Sequence, residues 1–444
     1  MKDMTNDELP EGWLEAVFDE LNTFKSQTID PSSYPEEVFE LYSVPTFPTR
    51  KPEVLAGSVI GSTKQVVEPG DVLVCKINPR INRVWKVMPK TDKRQIASSE
   101  WIVMRTNGMN SEFLRTYFSS QEFREILCED LTGVGGSLTR AQPKRVAKFR
   151  VPIAPLAEQK RIADKLEAVL GRVDACRARL DRVPDLLKRF RQSVLAAATS
   201  GQLTEEWREV NSSNAEWTAS RLGDCGVVSG GLTKNSNRQA LDLQKPYLRV
   251  ANVQANSLSL NDVSVIGLTD AEYRKTKLKV DDLLIVEGNG SIDQLGRVAI
   301  WSGELDDCVH QNHLIRWRTS GPYPRFVLYW LLSPQGRSDL MELASTTTGL
   351  HTLSISKVSA LPISLPPLPE QAEIVRRVEA LFAMADRIEA RLTAARAQVE
   401  RLTPATLSKA FCGDLVPQDP NDEPASKLLE RLQSAPAPKT SRKR

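Results

Sequence analysis

The chain has 444 residues, of which 41% are hydrophobic and 26% charged, with a formal net charge of +3; it is too long for a single core and implies two to four domains of ordinary composition. No run of about 18 apolar residues exists, and Asp3, Asp7, Glu8, Glu11, Glu15, Asp19 and Glu20 make the start the opposite of a basic secretory leader, so a cytoplasmic protein is expected. Six scattered cysteines with no pair at metal or redox spacing argue for reduced thiols and against a disulfide framework.

The first segment, residues 1–154, reads as short strands separated by polar turns, for example Glu68-Pro69-Gly70-Asp71 entering Val72-Leu73-Val74. A basic stretch follows, with Lys76, Arg80, Arg83, Lys86, Lys90, Lys93 and Arg94 interrupted by one acid, Asp92. A solvated surface loop would carry the same charges, but the interleaved Asn78 and Asn82 add side chains that pair with base edges. The loop 133–140, with Ser137, Thr139 and Arg140, offers amides and hydroxyls suited to phosphate. Residues 155–203 then form a helical pattern. Ile162, Leu166, Val169, Val173, Cys176, Leu180, Val183, Leu187, Phe190 and Val194 alternate spacings of four and three, the a/d rhythm of a coiled coil.

The segment 204–366 resembles the first at low identity, with Lys279-Val280-Asp281-Asp282 entering Leu283-Leu284-Ile285. Its candidate contacts are Arg249 and Asn252 after one strand, Asn289, Gly290 and Ser291 after another, then Arg297, Gln311 and Asn312, and Thr348 in a threonine-rich loop. Glu287-Gly288-Asn289-Gly290-Ser291 reads equally as a hairpin. Residues 367–415 repeat the helix, with Ile374, Val378, Leu381, Ala385, Ile388, Leu392, Ala395, Val399, Leu402 and Thr406 in the same rhythm. Residues 416–444 form a tail whose basic end, Lys439 to Arg444, is expected to be disordered.

The two helical segments align without a gap at an offset of 212 positions, each opening Pro-Leu-x-Glu-Gln and closing Gly-x-Leu. A repeat this long sets the architecture. The reading is an α+β chain in which two similar strand-rich α/β globules alternate with two long helices of about 40 residues each. Two matching seams can satisfy each other side by side, through Ile162, Leu166, Val169, Leu180 and Leu187 on one helix and Ile374, Val378, Leu381, Leu392 and Val399 on the other. Gly201 and Gly413 suit the left-handed conformation that closes a helix, while Pro184 and Pro404 predict a kink or a local break.

Catalytic constellations are missing. There is no phosphate loop of the Gly-x-x-x-x-Gly-Lys-Ser/Thr type. Asn78-Pro79-Arg80-Ile81 lacks the second proline and the aromatic of an amino-methyltransferase motif, and His310-x-x-His313 has no partners that would complete a metal site. The chain is therefore read as a non-enzyme with no metal and no cofactor of its own. A self-contained methyltransferase or nuclease and a coiled-coil adaptor without DNA remain the alternatives.

Duplicated halves of this kind resemble the specificity subunit of type I restriction-modification systems. Leu9-Pro10-Glu11-Gly12-Trp13, residues 187–195 and residues 371–379 are similar to its enteric subgroup. The resemblance implies a DNA-binding protein whose domains at 1–154 and 204–366 are target recognition domains, each reading one half of a bipartite asymmetric site on double-stranded DNA. It implies that the helices at 155–203 and 367–415 pair as an antiparallel coiled coil with a pseudo-two-fold repeat. It also implies that they set the gap and dock two methyltransferase subunits, which use S-adenosylmethionine, and two restriction subunits, which use ATP and Mg.

Overall fold

In the computed structural model, residues 9–129, 139–211, 216–289, 294–347 and 350–434 are described. The chain divides into two compact units, residues 1–180 with 394–444 and residues 181–393. Ser137, Gly290, Ser291 and Thr348 lie outside the described residues.

In the first unit the apolar run Val72–Cys75 becomes the middle strand of a three-stranded antiparallel sheet, between Val84–Lys86 and Trp101–Met104. A strand turns alternate side chains to opposite faces, and here each face meets its own core. Val72 and Val74 join Ile102 and Met104 on one side, while Leu73 and Cys75 join Trp101 and Val103 on the other. A five-stranded sheet lies beyond, in the order Thr28–Ile29, Lys64–Val66, Arg94–Ala97, Val38–Tyr42, Glu53–Ala56. The antiparallel pair Leu14–Val17 and Arg150–Ile153 brings the two ends of the globule together, with Leu14 opposite Ile153.

The second unit repeats this logic. Leu283–Val286 is a middle strand whose Leu283 and Ile285 enter one core while Leu284 and Val286 enter another. Leu283 pairs with Trp317 and Val286 with Leu314, the same register as Val72 with Met104 and Cys75 with Trp101. Thr218–Arg221 and Pro362–Leu365 form the equivalent closing pair.

Both long helices have 44 residues, Leu156–Thr199 and Leu368–Phe411. Gly201 and Gly413 end them with φ of 81° each, in the left-handed region. Within the first unit the helices run antiparallel, since Arg177 Nε meets Glu400 Oε1 at 3.0 Å and Arg396 Nη2 meets the Leu180 carbonyl at 3.4 Å. Within the second unit Arg191 bridges Asp386 and Glu389, while farther along Arg377 reaches the Leu203 carbonyl. The predicted break at the prolines does not occur: both Pro184 and Pro404 lie inside continuous helix. A proline at 184 removes the donor for the carbonyl four residues earlier, and that Leu180 carbonyl is the one Arg396 reaches from the other helix.

The seam is less uniform than its rhythm suggests. Ile162 and Leu166 are buried in the first unit's main core and Ile374 and Val378 in the second's, so the ends of the stripe face globular cores. Leu187 and Leu392 are buried, Val169, Leu180, Leu381 and Val399 half-buried, and Leu402 exposed. The tail contains an element that the sequence reading omits, a helix at Ala425–Ser434. Its Ala425, Leu428 and Leu432, on one face by their spacing, complete the first unit's core.

Candidate nucleic-acid interface

Two duplicated clasps hold each globule to its helix and to its middle strand. The Glu-Gln of the helix-opening motif makes the first. Trp13 Nε1 donates to Glu158 Oε2 at 2.9 Å, and Trp217 Nε1 donates to Glu370 Oε2 at 3.3 Å. Gln159 accepts from the Asn110 amide and donates to the Ala154 carbonyl, as Gln371 does with Tyr323 and Pro366. The second clasp is a buried carboxylate at the strand entry. Arg105 binds Asp71 through two hydrogen bonds of 2.8 and 2.7 Å, and Arg318 binds Asp282 through two of 2.6 Å. Two parallel N–H donors on one carboxylate give strength and a fixed geometry. These clasps fix the strands from which the candidate loops emerge.

In the first unit the structure gathers the candidates at one place. The loop after Val72–Cys75 lies against residues 139–141: the Asn78 amide donates to the Thr139 carbonyl at 2.9 Å, and the Ala141 amide to the Lys76 carbonyl at 2.9 Å. Lys76 sits between Glu100 and Arg140, and burial pulls its ammonium below the ordinary lysine range against the pull of Glu100. Arg140 is paired with Glu100 at 3.2 Å yet well exposed, and Arg80 is exposed. Arg83 donates to the Ile77 carbonyl.

Three candidates here are committed inward. The Asn82 amide donates to the Phe118 and Ser120 carbonyls at 2.9 and 3.3 Å, Lys86 is paired with Glu112 at 2.6 Å, and Thr139 is buried.

Candidates in the second unit also converge, but mostly on each other. Asn252 is 3% exposed; its amide donates to the Ser259 and Asp262 carbonyls at 2.9 Å each, and its oxygen accepts from the Arg249 amide. These bonds hold the loop. Arg249 binds the Asp262 carboxylate at 2.8 Å, Arg297 donates to Gln254 and to the Val250 carbonyl, and Gln311 Oε1 accepts from the Val250 amide. Asn312 is half-buried beside them, and Asn289 belongs to the two-residue strand Gly288–Asn289. His310 is fully buried, with Nδ1 at 3.0 Å from the Leu314 carbonyl, and burial followed by the charge of Arg316 lowers its pKa to about 4. Residue type suggested these positions, but an asparagine that caps a loop and one that reads a base look alike in sequence.

Comparison with known proteins gives the fold its context. Residues 214–395 match a family described as the type I restriction modification DNA specificity domain. The EcoKI specificity subunit of Escherichia coli K12 is 34% identical over 341 residues, covering 73% of this chain and 71% of that one. The chain belongs to the specificity subunits of type I restriction-modification systems. The StySPI specificity subunit of Salmonella potsdam is 37% identical over 74% of this chain and 73% of its own. Among solved structures, the HsdS subunit from Thermoanaerobacter tengcongensis superposes with a TM-score of 0.62 at 22% identity, covering 92% of this chain and 98% of that one. A chain from a structure of the type I system's assembly and conformational transition gives 0.68 at 21%, covering 92% and 99%. At those identities the likeness speaks for the fold, strand-rich domains with two packed long helices. As a specificity subunit the chain is the non-catalytic component of its system.

Proposed function

We propose that this subunit reads a bipartite, asymmetric site on double-stranded DNA, one half with the recognition domain at residues 1–154 and the other with that at residues 204–366. The single observation that carries the reading is that one scaffold occurs twice with its clasps and strand register retained, while its loops differ in charge and residue type. A duplicated frame with unlike loops suits two unlike half-sites. The paired helices set the gap between the half-sites and dock two methyltransferase subunits and two restriction subunits. S-adenosylmethionine, ATP and Mg are bound by those partners, and the whole assembly works in the cytoplasm.

The test is an exchange. Replacing residues 1–154 with the corresponding domain of a relative, and mapping methylated adenines made by the assembled complex, is expected to change one half of the site and leave the other intact. A change in both halves, or in neither, would contradict independent reading.

A further inference from the structure

The turn at residues 78–82 presents a side chain that the charge of its loop does not explain. Asn78 and Asn82 both have φ of 47°, in the left-handed region, and bracket the 3₁₀ turn Pro79–Ile81. Pro79 is buried, the Asn78 amide is tied to the Thr139 carbonyl, and the Asn82 side chain is tied to the Phe118 and Ser120 carbonyls. The turn is thus pinned from both ends, and at its tip stand Arg80 and Ile81, the isoleucine 53% exposed. A lone apolar side chain on a loose surface loop needs no account. On a pinned turn it is held out in one position.

Its surroundings select what it can meet. Arg80 and Arg83 flank it in the chain, and it shares a cleft of about 200 Å³ with Arg124 and with Thr403, Pro404 and Leu407 of the second long helix. None of the three guanidiniums has a carboxylate partner among the described residues. Covering this tip with an apolar protein surface would desolvate uncompensated charges at high cost, whereas a polyanion with an apolar group satisfies both. In B-DNA the C5-methyl of thymine projects into the major groove between the phosphates. We propose that Ile81 is a specificity-determining residue that contacts the C5-methyl of one thymine in the half-site read by residues 1–154. This rests on the DNA-reading function proposed above.

The experiment uses the complex assembled with its methyltransferase subunits and duplexes carrying the methylation-mapped site. Each thymine of the relevant half-site is replaced in turn by uracil, which lacks only the methyl. At one position uracil is expected to weaken binding about fourfold, the worth of one buried methyl. Ile81→Ala is expected to bind the thymine and uracil duplexes alike, with Ile81→Val between. Wild-type binding indifferent to uracil at every position, or an Ile81→Ala complex that keeps the uracil penalty, would each overturn the proposal. So would loss of the methyltransferase subunits from a folded Ile81→Ala chain, which would assign the tip to a protein partner. Failure of the wild-type complex to bind any specific DNA would instead overturn the function on which the proposal rests, and it is seen before a uracil duplex is made.

Discussion

Glu158 and Glu370 occupy the same place in the same motif, accept the same tryptophan N–H, and are 1% and 0% exposed, yet their second oxygens differ. Glu370 Oε1 accepts from Thr204 Oγ1 at 2.7 Å and from Arg208 Nη1 at 2.5 Å. Among the described residues Glu158 Oε1 has no hydrogen-bond partner. The residues 212 positions beyond Thr204 and Arg208 are Val416 and Pro420, whose side chains offer no donor. Arg161, the cation whose charge reaches Glu158, spends its hydrogen bonds on Asp422 at 3.2 and 2.6 Å. Duplication thus kept the shape of the clasp and let its electrostatics diverge, one carboxylate paired with a cation and the other raised by burial above its ordinary range.

Breaking the paired clasp is expected to give the largest effect. Arg208→Leu leaves a buried carboxylate without its counter-charge and is expected to cost about 3 kcal/mol, the lower end of the range for such pairs because Arg208 is itself 26% exposed. Urea unfolding followed by hydrogen exchange across residues 204–378 checks this; a change within about 0.5 kcal/mol would mean that the pair is incidental.

The loops sharpen the comparison at smaller magnitude. Arg80→Gln is expected to flatten the slope of log affinity against log salt by about one unit, because Arg80 is exposed without a carboxylate partner among the described residues. Arg249→Gln removes a side chain already bound to Asp262, so it is expected to loosen its loop and leave the slope unchanged. Equal slopes for Arg80→Gln and wild type would move the binding face elsewhere.

The smallest effect concerns pH. Burial, only partly offset by the Trp13 hydrogen bond and the charge of Arg161, raises the Glu158 carboxyl above its ordinary range, with Asp422 adding to the rise. The folded state therefore binds this proton more readily than the unfolded chain. Its contribution is full below the ordinary carboxylate pKa and is lost as pH rises through the folded one. Glu158→Gln is expected to match wild type in acid and to exceed it above that window by less than about 1 kcal/mol. Parallel stability profiles for the two chains would refute the assignment.

Sequence revealed the long helices because ten positions of uninterrupted rhythm recur at a constant offset, and Gly201 and Gly413 mark their ends. It also revealed the middle strands, since an apolar run such as Val72–Cys75 buries both faces. The partners of a seam were less legible. Ile162 and Val378 have the same rhythm as Leu187 and Leu392, but which surface covers a stripe depends on the fold. The continuity of helix through Pro184 was hidden for the same reason, because it involves Arg396, 212 residues away. The bonding of Asn252 and Asn82 was not legible either, because residue type does not reveal whether an amide already holds its own loop.

In the proposed function one duplicated architecture meets DNA twice, at a spacing set by its helices. Residues 174–180 face residues 397–403 across the antiparallel pair, so removing both heptads keeps the pairing register while shortening each helix by about 10 Å. At 3.4 Å per base pair that corresponds to about three base pairs of gap, with a rotation around the duplex. Selection of gap-randomised DNA by the assembled, shortened complex is the direct measurement. Unchanged half-sites with a narrower gap, or lost tight binding, are expected; an unchanged preferred gap at full affinity would mean that the helices do not set the spacing.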